Sequence, residues 1–268
     1  MQSGLLLSAL LVAAGCGRAT HTPSAPAQPA PSAGSEAAPH AAPLDYTAIV
    51  QAADRDDADR ALDTGRKPGE LLSFLELRPG MRVAELGAGG GYTSELLARA
   101  VGETGAVYLQ NSPFILARFA EVPLTARLEK PVMDRVVRLD REFDDPFPED
   151  VRDLDVVVNV LFYHDTVWHK VDRERMNRAV LAALKPGGRY VIVDHASAPG
   201  KGVTETETLH RIEESAVRSE VEQAGFQFVA DADFLRNPQD TRDWNASPRS
   251  AGDRRGTSDR FVLKFQKP

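Results

Sequence analysis

A single cysteine, Cys16, among 268 residues rules out an intrachain disulfide framework, so the fold must rest on its apolar core. Long apolar runs are missing as well. The strongest, from Leu5 to Ala14, is too short to cross a bilayer as a helix. A basic excess is also absent: 32 Lys and Arg stand against 39 Asp and Glu, a net charge of −7. Residues 1–43 carry only Arg18 and Glu36, which cancel, so the whole deficit belongs to residues 44–268. Nucleic-acid binding draws its affinity from clustered Lys and Arg, so no nucleic-acid partner is expected. Zinc-like spacing is lacking in its turn. His164 and His169 are five apart rather than four, and His210 with Glu214 reads as a solvated pair on a helix face. No metal site is expected.

What is there begins with a small-small-Cys ending, Ala14, Gly15 and Cys16, after the short apolar run. It resembles the bacterial lipoprotein lipobox, although Ala13 stands where that motif prefers Leu and "MQSG" offers no positive n-region. The resemblance implies a signal peptide over residues 1–16 and lipidation of Cys16. It further implies a membrane-anchored protein facing the periplasm or cell exterior, or a cytoplasmic one if the signal is not functional. Residues 17–43 hold six Pro and nine Ala in 27 positions with no periodic apolar face, which predicts a disordered tether.

From Leu44 the pattern changes to that of a folded domain, residues 44–268. The acidic stretch over about 44–78 predicts one or two helices, placed to cap a pocket. Strands are predicted at 81–86, 106–110, 135–139, 154–162, 189–194, 226–230 and 260–265, with helices over 93–101, 172–184 and 205–224. The β-branched run "LDVVVNVLF" suits a central parallel strand buried on both faces. The expected fold class is α/β: a Rossmann-like, doubly wound, seven-stranded sheet, mostly parallel with an antiparallel last strand and helices on both faces. Ligands of such sheets sit at the carboxyl ends of the strands.

The loop after the first strand, "ELGAGGG", decides which ligand. A dinucleotide fingerprint, G-x-G-x-x-G, would need glycine where Tyr92 stands, and no Lys-Ser or Lys-Thr follows to make a phosphate P-loop. The loop is instead E-x-G-x-G-x-G, with Glu85 two residues before Gly87. A carboxylate there is badly placed for a pyrophosphate and well placed for a cation. S-adenosylmethionine carries an ammonium and a sulfonium, and its carboxylate can face the amides of a helix N-terminus.

With this loop, "PFPED" before a buried strand and "ALKPGG" before the next, the chain resembles the class I S-adenosylmethionine-dependent methyltransferases. The strings "GRKPGELLSFLELRPGM", "NVLFYHDTVW" and "GFQFVADADFLRNPQDTRDWN" resemble a family of bacterial predicted methyltransferases of unassigned substrate, over Leu44 to the C-terminus. The resemblance implies S-adenosyl-L-methionine as cofactor, with Glu85, Gly87, Gly89 and Gly91 along its methionine end and Tyr92 beside them. Asp140, after strand three, stands where the fold often meets adenine. The acidic ribose ligand that usually ends strand two is replaced here by Gln110 and Asn111, whose amides bond hydroxyls without charge assistance.

Methyl transfer requires a nucleophile aligned with the methyl group and, for oxygen or nitrogen, removal of a proton. "FYHD" and "DHAS" end the fourth and fifth strands, so Tyr163, His164, Asp165, Asp194 and His195 are the expected acceptor-side groups. His164 is the expected base, Asp165 or Asp194 its orienter, and His195 a substrate contact. The absence of N-P-P-Y around Asn159 removes the amino-group assignment that this motif would carry. Arg236–Arg260, with six Arg, four Asp and Trp244, is the candidate lip for an anionic or aromatic small molecule. The competing expectation is an envelope-tethered binding protein of altered chemistry, since the cofactor has no obvious supply outside the cytoplasm.

Overall fold

Glycine and proline stops, capping carboxylates and β-branched runs divide residues 44–268 into short helices and a sheet. The computed structural model describes these residues; the expected signal over 1–16, Cys16 and the tether over 17–43 lie outside them. The acidic N-terminal stretch forms three helices rather than one or two: α1 (Tyr46–Val50), α2 (Asp57–Arg66) and α3 (Pro68–Leu75). Asp45 caps α1 by accepting the Ala48 amide at 3.1 Å. Lys67, in the left-handed region, ends α2, and Pro68 opens α3 at once, which is why one apolar pattern becomes two helices.

The strands are β1 (Arg82–Leu86), β2 (Ala106–Asn111), β3 (Val136–Asp140), β4 (Leu154–Val160), β5 (Leu184–His195), β6 (Gln227–Ala232) and β7 (Arg260–Gln266). They form one seven-stranded sheet in the order β3-β2-β1-β4-β5-β7-β6, with β7 antiparallel to both of its neighbours. The doubly wound expectation holds. Between strands lie α4 (Tyr92–Val101), α5 (Pro113–Ile115), a π-helical turn at Leu116–Ala120, α6 (Glu121–Leu128), α7 (Tyr163–Trp168), α8 (Arg173–Ala183), α9 (Thr206–Leu209) and α10 (Glu214–Gln223). Right-handed crossovers place α4 and α6 on one face, where the chain steps from β1 out to β3. They place α8 and α10 on the other, where it steps from β4 out to β6. Val156, Val157 and Val158 of β4 are fully buried, as a strand covered on both faces requires.

Two differences from the sequence expectation shape the site. The fourth strand stops at Val160, and "YHDTVW" turns into α7, so consecutive residues there point to different sides. The single helix expected over 205–224 is broken at His210, which is left-handed. Tertiary backbone pairing explains the break. Ile212 donates to the His195 carbonyl at 2.9 Å and accepts from Ser197 at 3.0 Å, extending the end of β5. Arg211 is thereby turned wholly inside, where it pairs with Asp240 at 2.8 Å.

Candidate active site

The reversal of winding between β1 and β4 opens a crevice at the strand ends, as it does in doubly wound sheets generally. A cavity of about 730 Å³ lies there, and Glu85, Gly87, Gly89, Tyr92, His164, Asp165 and His195 all line it. These residues come from the ends of β1, β4 and β5 and the starts of α4 and α7, and only the sheet brings them together.

On the glycine side, Glu85 is buried and its Oε2 accepts the Ser94 hydroxyl at 2.5 Å. Burial raises its carboxyl to about 7, against the opposing pull of hydrogen bonds from Ser94 and Thr93 and of the Arg66 charge. A cation beside it would draw it into the ionised form. Gly87 has φ +65°, and a Cβ on it would meet the Phe162 ring at 2.4 Å. Gly89 has φ +56°, yet a Cβ there would meet nothing within 4 Å, because it would enter the open cavity. The backbone is therefore bare where a ligand would approach.

Gln110 and Asn111 are spent on this loop. The Gly87 amide donates to Gln110 at 3.1 Å and the Gly89 amide to Asn111 at 2.8 Å. The Asn111 amide returns a bond to the Gly89 carbonyl at 3.0 Å, and that of Gln110 bonds the Arg141 carbonyl at 2.6 Å. Both side chains brace the loop from behind and neither lines the cavity. Gly91, Asp140 and Tyr163 do not line it either. Asp140 is exposed and paired with Arg138 at 2.7 Å. Tyr163 points toward the opposite face of the sheet, donating to Glu220 at 2.9 Å and accepting from Asn177 at 2.8 Å.

On the histidine side, α7, the end of β5 and the end of α9 place His164, Asp165, Asp194 and His210 in contact. His164 Nδ1 lies 2.7 Å from Asp194 Oδ1, and its Nε2 lies 3.1 Å from Asp165 Oδ1 and 3.2 Å from His210 Nδ1. Asp194 is locked in turn, accepting the His164 amide at 2.7 Å and the His195 amide at 2.8 Å. Burial alone would lower the His164 pKa, but Asp194 and Asp165 outweigh it and raise it to about 10. His195 goes the other way. Burial holds it well below the usual imidazole range, and the positive charges of His164, Arg260 and Arg211 add to that. Its Nδ1 bonds the Ser258 hydroxyl at 2.7 Å.

Sequence reasoning missed several contributors. His210 belongs to this cluster and not with Glu214, which pairs with Arg236. The segments were expected, as a helical cap and a candidate lip, but not the individual residues that line the cavity: Asp59, Leu62 and Arg66 of α2, and Ser247, Pro248 and Arg249 of the Arg-rich segment. Arg127 ties α2 to the glycine loop: it donates to Asp59 at 2.6 and 2.9 Å, to the Gly90 carbonyl at 2.6 Å and to Glu95. No motif marks Asp59, Arg66 or Arg127, since they are charges on helix surfaces until the helices dock.

The protein-L-isoaspartate(D-aspartate) O-methyltransferase family matches residues 43–122, the part that contains the N-terminal helices and the glycine loop. The ubiquinone/menaquinone biosynthesis C-methyltransferase UbiE of Ectopseudomonas mendocina (strain ymp) is 31% identical over 166 residues, which are 62% of this chain and 59% of that protein. Phosphoethanolamine N-methyltransferase 1 of Zea mays is 25% identical over 169 residues, 60% of this chain and 31% of that protein. The chain thus spans less than two thirds of the length of either relative. Among solved structures, a SAM-dependent methyltransferase from Aquifex aeolicus has a TM-score of 0.56 at 17% identity, covering 84% of this chain and all of that one. The fold is accordingly that of the S-adenosylmethionine-dependent methyltransferases. The three named activities differ in the atom methylated: oxygen, carbon or nitrogen.

Proposed function

We propose that this protein is an S-adenosylmethionine-dependent methyltransferase acting on a small-molecule acceptor. The observation that carries the reading is the pairing of a buried carboxylate, Glu85, with a glycine, Gly89, whose missing side chain leaves the cavity open. Glu85 would hold the cofactor's ammonium, and the amides at the head of α4 its carboxylate. The bound cofactor supplies a methyl group already activated by its sulfonium. The chain's own part is to align the acceptor, exclude water and take up a proton.

Of the two histidines, His195 is the better candidate for the base. Both nitrogens of His164 are engaged, with Asp194 on one side and Asp165 and His210 on the other. His195 keeps Nε2 for a proton when Nδ1 donates to Ser258. His164 then acts as a positioning residue, with Asp165 and Asp194 orienting it. Arg249, Phe119 and Trp168 in the cavity wall favour an anionic or aromatic acceptor. Export and anchoring through Cys16 remain part of this proposal.

One observation favours a second reading. With Gln110 and Asn111 committed to the loop, no side chain at the end of β2 faces a ribose, as a tethered binding protein of altered chemistry would tolerate. Calorimetric titration with S-adenosylmethionine and S-adenosylhomocysteine separates the two. Both ligands are expected to bind the unmutated protein, and Gly89→Arg, which fills the cavity, is expected to abolish the heat. Binding without methyl transfer to any acceptor in a broad screen would favour the tethered binding protein. No heat with either ligand would remove the methyltransferase reading.

A further inference from the structure

Three of the cavity's polar atoms form a triangle of nearly equal sides. His164 Nε2, Asp165 Oδ1 and His210 Nδ1 are separated by 3.1, 3.2 and 3.3 Å. Zinc bound by imidazole nitrogen and carboxylate oxygen at about 2.0–2.1 Å in a tetrahedron has ligand-to-ligand edges of about 3.3 Å. An ion about 0.9 Å out of the plane of these three atoms would therefore lie about 2.05 Å from each. The residue types agree with the distances, since two imidazoles and a carboxylate suit zinc and its first-row neighbours.

The surroundings have the form such sites take. The far nitrogen of His164 is bonded to Asp194 at 2.7 Å, a carboxylate–histidine pair that fixes ring orientation and tautomer for a metal on Nε2. Trp168 Nε1 donates to Asp165 Oδ1 at 2.7 Å and holds that carboxylate in place. All three candidate ligands line the same cavity as Glu85 and Gly89, and the side chains of Asp165 and His210 keep 17% and 23% of their surface exposed. Three protein ligands with open positions toward a cavity are the arrangement of a catalytic rather than a structural zinc.

A second cluster in the same protein shows what a filled site looks like. Asp56, Asp59 and Glu95 also converge, but Arg127 and Lys130 occupy the space between them, with Lys130 2.8 Å from Asp56 and 3.0 Å from Glu95. Side-chain cations already neutralise that cluster. Among the described residues, Asp165 pairs with the two imidazoles and with no Lys or Arg.

We propose that His164, Asp165 and His210 form a three-ligand site for a divalent first-row transition cation of the zinc type, opening on the same cavity as Glu85 and Gly89. The site stands on its own geometry. Its role alone rests on the methyltransferase reading: the cation takes an acceptor hydroxyl or thiol as its next ligand, and the O–H or S–H proton leaves to His195. The electron pair stays on the acceptor atom, which becomes the nucleophile.

The test uses the full chain, stripped with chelator and titrated with Co²⁺ and then Zn²⁺. One equivalent of Co²⁺ is expected, with the visible d–d bands of a tetrahedral ion, displaced by Zn²⁺. His210→Asn, which keeps a residue tolerant of the left-handed conformation, and Asp165→Asn are each expected to lose the bands. Asp194→Asn is expected to weaken Zn²⁺ binding about 10–100-fold. Thermal melts and cofactor calorimetry confirm that each variant is folded. The proposal is overturned if the parent shows no tetrahedral Co²⁺ spectrum. It is equally overturned if folded His210→Asn binds as tightly as the parent, which would place the ion away from this triangle. Cation binding without any cofactor binding leaves the site standing and removes only its role.

Discussion

The two sides of the crevice are built differently. On the β1–β2 side the chain supplies backbone: a bare glycine, helix-head amides and one buried carboxylate, braced from behind by Gln110 and Asn111. On the β4–β5 side it supplies side chains: His164, Asp165, His195 and His210, held by Asp194 and Trp168. A backbone site suits a ligand of constant shape, because its geometry comes from a local turn and changes little with sequence. A side-chain site suits the variable partner, since each group can be replaced without disturbing the turn.

The comparison breaks most sharply at the pair that supports the second side alone. Arg211 and Asp240 have fully buried side chains, and Asp240 also accepts the Trp244 indole at 2.7 Å and the Asp259 amide at 2.6 Å. Asp240→Ala leaves a buried guanidinium without its partner and is expected to cost about 3–5 kcal/mol in denaturant unfolding. Where folded protein remains, acceptor turnover should fall before cofactor affinity does. An equal loss of both would mean that the two sides are not separable.

A smaller effect of opposite sign is expected at Glu85. Its folded pKa of about 7 lies above the unfolded value near 4.5, so between those values the folded state binds more protons. Stability of the ligand-free protein therefore falls as pH rises through that window, by about 3 kcal/mol in all. Glu85→Gln removes the charge and should melt higher than the parent at pH 8 while losing cofactor affinity. Cofactor affinity of the parent should rise from pH 6 to pH 8 as the carboxylate ionises. A Glu85→Gln protein that melts lower at pH 8, or binds the cofactor as well, would refute the assignment.

The smallest expected effect is at the brace. Asn111→Ala removes two bonds to Gly89 and should cost about 1–3 kcal/mol, with a weaker cofactor isotherm and an unchanged metal titration. A ribose ligand would behave otherwise: cofactor affinity would drop with no loss of stability.

The fold was legible because its signals are local and repeated. Alternating strand and helix patterns over 81–194, the β-branched run of β4 and the glycine loop each state their own conformation, and the sheet observed is the one they imply. Errors came where long-range pairing overrode a local pattern. Residues 205–224 read as one helix until Ile212 found the end of β5, and "FYHD" read as a strand end until its last three residues opened α7. Half of the candidate site was visible in the same way. Glu85, Gly87 and Gly89 follow one another within a single turn, whereas His164, His195 and His210 are separated by 31 and 15 residues and meet only across the sheet.

The sequence by itself thus determined the sheet, the winding and the glycine side of the crevice, because short-range sterics and hydrophobic period decide those. Only the tertiary structure decided that His210 joins His164 and Asp165, that Gln110 and Asn111 brace the loop, and that Tyr163 faces the opposite side. Those outcomes depend on which polar groups are left facing one another once the core is buried, and such groups must be paired wherever they meet.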